Sequence, residues 1–203
     1  NALGADVRGA GTPTVHVRGV DRLHGGEYTV IPDRLEAGTF AVAAAVTTGA
    51  VTICNAVPDH MRPVLNKLRE AGVGVDEAPD GLRVRASGRA RAVDIKTNPH
   101  PGFPTDMQQV FATMLSTANG TSVISENVYE SRFRYVNELN RMGANIRVGG
   151  SAAVITGVDR LTGAPVAATD LRAGAALICA GMAADGEGVE EGRSVLQRCD
   201  GRR

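Results

Sequence analysis

Apolar positions along this chain fall into three recurring patterns. The first is apolar on every side: 40–46 (FAVAAAV), 110–115 and 171–183 carry almost no charge through successive helical turns. Such runs predict helices buried all round. The second is amphipathic. In DHMRPVLNKLREAG, Val64, Leu65 and Leu68 recur at the three-to-four spacing of one helix face, and Pro63 is tolerated because it lies in the first turn. The third is alternation, as in GLRVRAS, where Leu82 and Val84 face one way and Arg83 and Arg85 the other, predicting a strand with one wet face.

These patterns recur in a fixed order. An aspartate precedes each all-apolar run (Asp33, Asp106, Asp170), with separations of 73 and 64 residues, and GVDRL stands at 19–23 and again 138 residues later at 157–161. Each unit reads as a short strand (28–31 in the first), a buried helix ending near a glycine (Gly49, Gly120, Gly186), a β-branched strand such as VTICN or TSVIS, an amphipathic helix, and two alternating strands. The order is β-α-β-α-β-β, with units starting near 27, 92 and 165. All-apolar helices belong at the centre and half-wet strands outside, so residues 19–187 are expected to form an inside-out α/β barrel of roughly threefold repeats. Residues 1–18 read as the end of a unit from a preceding domain, because NALGADV matches the helix-end phrases REAGVGV and RMGANIRV. The stretch 188–203, dominated by Gly, Glu and Arg, is expected to be disordered.

Composition narrows the function classes. Lys+Arg and Asp+Glu both count 22, so no basic excess points to nucleic acid, and only 3% of residues are aromatic, which leaves core filling to aliphatics. The three cysteines are odd in number and fit no metal spacing, which predicts no metal site and a reducing, cytoplasmic setting. No apolar stretch approaches the roughly 20 residues of a membrane span, and no leader opens the chain.

The candidate residues have plain structural explanations as well. Asp33 with Glu36 and Asp106 with Gln109 form helix-capping patterns, and Asp170 also stands directly before a helix. Arg132 and Arg172 suit ordinary ion pairs on a solvated rim, and His100, before Pro101, suits a loop-stabilising donor. Cys54, in a strand, and Cys179, in an apolar helix, read as buried inert thiols.

Four phrases together, PDRLEAGTF, HPGFPTDMQ, ENVYESRFRYVNEL and ATDLRAGAAL, resemble the enolpyruvyl transferase family, and within it the UDP-N-acetylglucosamine 1-carboxyvinyltransferases, over residues 1–187. The resemblance implies two inside-out barrel domains of three β-α-β-α-β-β units each, of which this chain supplies most of one. It also implies transfer of the enolpyruvyl group of phosphoenolpyruvate to the 3-hydroxyl of UDP-N-acetylglucosamine, the first committed step of peptidoglycan synthesis, with no metal or organic cofactor. Asp106 matches the family's base, Val128 a backbone contact to the sugar nucleotide, and Arg132, Asp170 and Arg172 charged residues of the cleft. Asp33 and Arg34 match a further charged pair. The family's catalytic cysteine, its Lys-Asn pair and its phosphate-binding arginines have no counterpart in these 203 residues, so the chain alone is expected to be inactive without the second domain. Two alternatives stay open: the shikimate-pathway enolpyruvyl transferase, and a non-catalytic sugar-nucleotide-binding barrel.

Overall fold

A computed structural model describes residues 1–191. Strands β1 (Asp6–Arg8) and β2 (His16–Arg18) pair antiparallel as a ribbon, after which residues 19–31 run exposed and without regular structure. The first unit consists of α1 (Arg34–Val46), β3 (Ala50–Cys54), α2 (Arg62–Glu70), β4 (Gly74–Ala78) and β5 (Gly81–Arg85). The second runs β6 (Ile95–Lys96), α3 (Gln108–Ser116), β7 (Thr121–Ser125), α4 (Val136–Arg141), β8 (Asn145–Gly149) and β9 (Ala152–Thr156), reproducing the anticipated β-α-β-α-β-β order in full. The third contains β10 (Leu161–Thr162), β11 (Pro165–Ala167), α5 (Leu171–Ala183), β12 (Ala184–Asp185) and β13 (Val189–Glu191).

The sheets repeat as the sequence does. In the first unit the order is β3-β5-β4 and in the second β6-β7-β9-β8, so β3, β5 and β4 correspond to β7, β9 and β8. The second sheet gains β6 by parallel pairing with β7; in the third unit β10 pairs parallel with β12 and β11 with β13. The strand anticipated at 28–31 does not form. Tyr28, Val30 and Ile31 are exposed, whereas Ile95 of β6 is buried, and an apolar run becomes a strand only when a neighbour takes its backbone groups and a core takes its side chains. The expectation of disorder from 188 onward is overturned for Val189–Glu191, which form β13 against β11; the remainder of that expectation, 192–203, lies outside the described residues.

Helices α1, α3 and α5 pack against one another, with β3 and β5 lying on α1 and β7 and β9 on α3. All nine residues of α3 are buried. Its hydroxyls are satisfied internally: Thr113 donates to the Ala176 carbonyl of α5 and Ser116 to the Ala112 carbonyl. Burial on every side holds only for α3. On α1, Phe40 is 59% exposed, and on α5, Ile178 and Met182 are 45% and 57% exposed, because among the described residues no element covers those sides. The amphipathic and alternating patterns are realised as expected: Val64, Leu65 and Leu68 of α2 are buried, as are Leu82 and Val84 of β5, while Arg83 and Arg85 face water. Cys54 departs from expectation. It is exposed, since the alternation of β3 turns Ala50, Thr52 and Cys54 outward together.

The two GVDRL phrases both follow a closing strand, yet their surroundings differ. Gly157 donates its N–H to the Gly120 carbonyl, and a Cβ there would lie 1.8 Å from the Ala118 carbonyl oxygen, whereas Gly19 has open space around it. Gly157→Ala should therefore destabilise the chain by at least ~1–3 kcal/mol in urea denaturation, the usual cost of overpacking. Gly19→Ala should stay within ~0.5 kcal/mol of the parent. Equal effects of the two substitutions would refute the packing asymmetry.

Candidate active site

The N-termini of α3 and α5 meet at one end of the inner helices, and the three capping candidates take different roles. Asp33 caps α1 by accepting the Leu35 N–H at 2.7 Å. Asp170 caps α5: its Oδ1 accepts from the N–H groups of Arg172 (2.8 Å) and Ala173 (3.0 Å), and its Oδ2 accepts from the Gln109 side-chain amide at 3.1 Å. Asp106 does not cap. It lies inside a 3₁₀ turn, Thr105–Met107, so α3 starts beyond it and its carboxylate binds no helix amide. The capping pattern D-x-x-Q is misleading here, because Gln109 reaches across to Asp170 instead of back toward Asp106.

Freed from capping, Asp106 faces two guanidinium groups. Its Oδ1 pairs with Nη2 of Arg132, from the 3₁₀ turn Arg132–Tyr135 before α4, and its Oδ2 lies 3.7 Å from Nη2 of Arg172, in the first turn of α5. Arg132 does not belong to a solvated rim: its side chain is only 11% exposed, and its guanidinium sits 5.0 Å from the Tyr129 ring centroid, within cation–π range. Asp106 keeps 38% of its side chain open. A carboxylate oriented by two cations and still reachable is suited to accept a proton or a hydrogen bond from a ligand hydroxyl.

Val128 lies beside this cluster, on a cavity of about 710 Å³ formed by the loop 126–134 with Val148, Gly150 and Ser151. Its N–H already donates to Oε1 of Glu126 at 2.8 Å, so the backbone group left for a ligand is its carbonyl. Asp33 and Arg34 are not brought to the Asp106 cluster. Arg34 instead lines a smaller cavity of about 150 Å³ with His60, Arg62 and His100. The His100 ring makes no hydrogen bond among the described residues, so it is not the loop-stabilising donor anticipated.

Several polar residues around the centre were not singled out as candidates, although Gln108 closes the phrase HPGFPTDMQ and Glu126 and Tyr135 lie in ENVYESRFRYVNEL. Glu126 is buried at the base of the loop, and the Tyr135 hydroxyl and the Gln108 amide are buried with no hydrogen-bond partner among the described residues. Burial, reinforced by the charge of Glu126, pushes the Tyr135 phenol far above its ordinary range. A buried tyrosine or glutamine reads from sequence as surface polarity; only the three-dimensional contacts reveal it. The described residues contain no group of three or more His, Cys, Asp or Glu able to hold a metal ion, and no helix among them is long and apolar enough to cross a membrane.

The two described cysteines stand apart from the cluster and differ in reactivity. Burial pushes the Cys179 thiol up to about 11. Only about 0.1% of it is thiolate at pH 8, and thiolate is the reactive form. Iodoacetamide at that pH should label Cys54 in the folded chain and Cys179 only after denaturation, as read by peptide mapping; comparable native labelling of Cys179 would contradict its burial.

A family model described as EPSP synthase (3-phosphoshikimate 1-carboxyvinyltransferase) matches residues 1–197, running past residue 187 where the recognisable phrases stop. Among curated proteins, a UDP-N-acetylglucosamine 1-carboxyvinyltransferase of Desulfofundulus thermocisternus is 60% identical over 188 residues, covering 92% of this chain and 77% of that protein. A UDP-N-acetylglucosamine 1-carboxyvinyltransferase 3 of Caldanaerobacter subterraneus subsp. tengcongensis is 56% identical over 186 residues, covering 92% of this chain and 45% of that protein. The chain thus spans a little under half the length of several curated relatives it matches. Among solved structures, the enolpyruvyl transferase NikO from Streptomyces tendae superposes with a TM-score of 0.82 at 28% identity, covering 98% of this chain and 48% of that one. An EPSP synthase from Acinetobacter baumannii shares the fold, with a TM-score of 0.72 at 19% identity, covering 96% of this chain and 49% of that one. The threefold inner-helix architecture and these matches place the chain in the EPSP synthase family of enolpyruvyl transferases, on the branch of the UDP-N-acetylglucosamine 1-carboxyvinyltransferases.

Proposed function

We propose that this chain carries the sugar-acceptor half of a site that transfers the enolpyruvyl group of phosphoenolpyruvate to the 3-hydroxyl of UDP-N-acetylglucosamine, releasing phosphate, in peptidoglycan synthesis. The observation that carries the reading is Asp106: a carboxylate freed from capping, part exposed and aligned by Arg132 and Arg172. In an addition–elimination of this type, a base takes the hydroxyl proton as the sugar oxygen bonds to the phosphate-bearing carbon of the enol phosphate and an acid protonates its methylene carbon. The bond from that carbon to phosphate then breaks as the new methyl group gives a proton back, leaving the enol ether and inorganic phosphate. Asp106 is the base. The Val128 carbonyl holds the sugar nucleotide, Arg132 and Arg172 keep the carboxylate in place, and Asp170, which caps the helix bearing Arg172, is assigned to the same cleft. Arg34, on the smaller cavity, and Asp33, the cap of α1 just before it, are assigned to the rim of the same cleft. Phosphoenolpyruvate brings its own activated group, so the reaction calls for no cofactor. The acid and the phosphate clamp come from a second domain of the same enzyme, and the setting is the cytoplasm, consistent with an odd cysteine count. Relatives at 50–60% identity favour this acceptor over the shikimate one, toward which the structural likeness carries only 19% identity.

In a chain that includes the rest of the relatives' length, Asp106→Ala should lower turnover by at least ~10²-fold, the usual loss when a general base is removed. Parent-like turnover in a folded variant would take Asp106 out of the mechanism.

The 203-residue chain alone should release no phosphate from phosphoenolpyruvate plus UDP-N-acetylglucosamine above a no-enzyme blank, because acid, clamp and base must converge within hydrogen-bond reach. Measurable turnover by it would show that the catalytic groups are misassigned.

A further inference from the structure

Glu126 follows β7 directly and is 5% exposed, yet no cation pairs with it among the described residues. Both of its carboxylate oxygens are filled by neutral donors. Oε1 accepts from the Thr97 hydroxyl (2.7 Å), the Val128 N–H (2.8 Å) and the Tyr129 N–H (3.0 Å), and Oε2 accepts from the Thr105 hydroxyl at 2.9 Å. Thr97 is itself fixed, since its hydroxyl accepts from the Asn127 N–H and its carbonyl from the Asn127 side chain. The four donors belong to three segments, and what those segments carry is the point. Thr105 is the residue before Asp106. Val128 and Tyr129 open the loop that turns through Ser131, at φ 58°, into Arg132, and the Tyr129 ring lies under the Arg132 guanidinium.

Burying a carboxylate is costly even when it is fully hydrogen-bonded, and an apolar side chain in such a place is commonly as stable or more so. What an apolar residue lacks is the ability to gather two hydroxyls and two backbone N–H groups onto one point with charge-assisted bonds. We propose that Glu126 is a positioning residue for the Asp106 centre: one buried carboxylate clamps the turn bearing Asp106 to the loop bearing Val128 and Arg132, and so sets the geometry of the Asp106–Arg132 pair. The inference rests on the reading of Asp106 as the functional carboxylate. Glu126 touches no reacting atom and acts through the two segments it joins.

The test uses NMR on the 203-residue chain. The Arg132 guanidinium resonance, assigned by its loss in Arg132→Lys, should shift on Asp106→Asn, which reports the pair. Glu126→Ala should move that resonance toward its position in Asp106→Asn, and should speed exchange of the Val128 and Tyr129 amides by at least about tenfold, as expected for losing hydrogen bonds to a charged acceptor. Amides of the α3 core should keep their protection. Glu126→Gln retains one acceptor oxygen and can donate to Thr105, so it should restore most of both signals. Thr105→Val should shift the Arg132 resonance while leaving Val128 and Tyr129 exchange unchanged, and it covers the case in which Glu126→Ala fails to fold. An Arg132 resonance that ignores Glu126→Ala and Thr105→Val alike would overturn the proposal, as would equal loss of protection in α3, the mark of a purely structural role. No readout depends on turnover, so failure of the enzymatic reading and failure of this proposal are separate results.

Discussion

Three helices bury one another when apolar side chains fill the space between them and the hydroxyls trapped there return to helix carbonyls. In this chain all nine residues of α3 are buried, and the Thr113 and Ser116 hydroxyls are returned to helix carbonyls, while the Gln108 amide at the start of the helix stays without a partner among the described residues. The sheets then have only the outside left to occupy, which is why their strands alternate between buried and wet positions. The same packing sets the N-termini of α3 and α5 side by side. Residues of different repeats thereby come within reach: Gln109 bonds Asp170 across 61 residues of sequence, and Arg172 of the third unit lies 3.7 Å from Asp106 of the second.

Repetition makes the three aspartates comparable, and their differences are informative. Two of them serve the backbone, filling amides that a helix start leaves without partners. The third is displaced by a single 3₁₀ turn, and the loss of that capping role turns its two oxygens toward Arg132 and Arg172 instead of helix amides. Where the repeat is obeyed, a carboxylate is structural; where the repeat is broken by one turn, it becomes available for chemistry. The arginines follow the same logic. Most exposed pairs, such as Arg85 with Asp76 or Arg160 with Asp185, connect surface groups and contribute little. Arg132 is instead enclosed by its loop and held against an aromatic ring, so its direction is fixed before a ligand arrives.

Fixing that direction depends on residues that have no charge partner of their own. Glu126 gathers its donors from segments 21 to 29 residues away and from the two residues that follow Asn127, linking the strand edge, the Asp106 turn and the Arg132 loop. A site on loops gains precision when buried hydrogen bonds fasten those loops to the scaffold, and here one carboxylate does so for both sides of the ion pair.

The sequence by itself determined the inner helices, the amphipathic helix of the first unit, the alternation of β5 and the β-α-β-α-β-β order, because each is a periodicity of side-chain polarity along the chain and needs no knowledge of distant residues. Its motifs also singled out Asp106, Arg132, Asp170 and Arg172, which the fold gathers into one cluster. Tertiary structure decided what each residue does within its unit. Whether the run at 28–31 is a strand depended on a neighbour to pair with; whether Cys54 is buried depended on which face of β3 meets α1; whether Asp106 caps depended on where α3 begins. The part played by Glu126, although it opens the phrase ENVYESRFRYVNEL, was illegible for the same reason. A carboxylate after a strand carries no local sign of its partners, since hydrogen bonds between distant segments exist only once packing has brought those segments together, and sequence spacing records periodicity but not proximity.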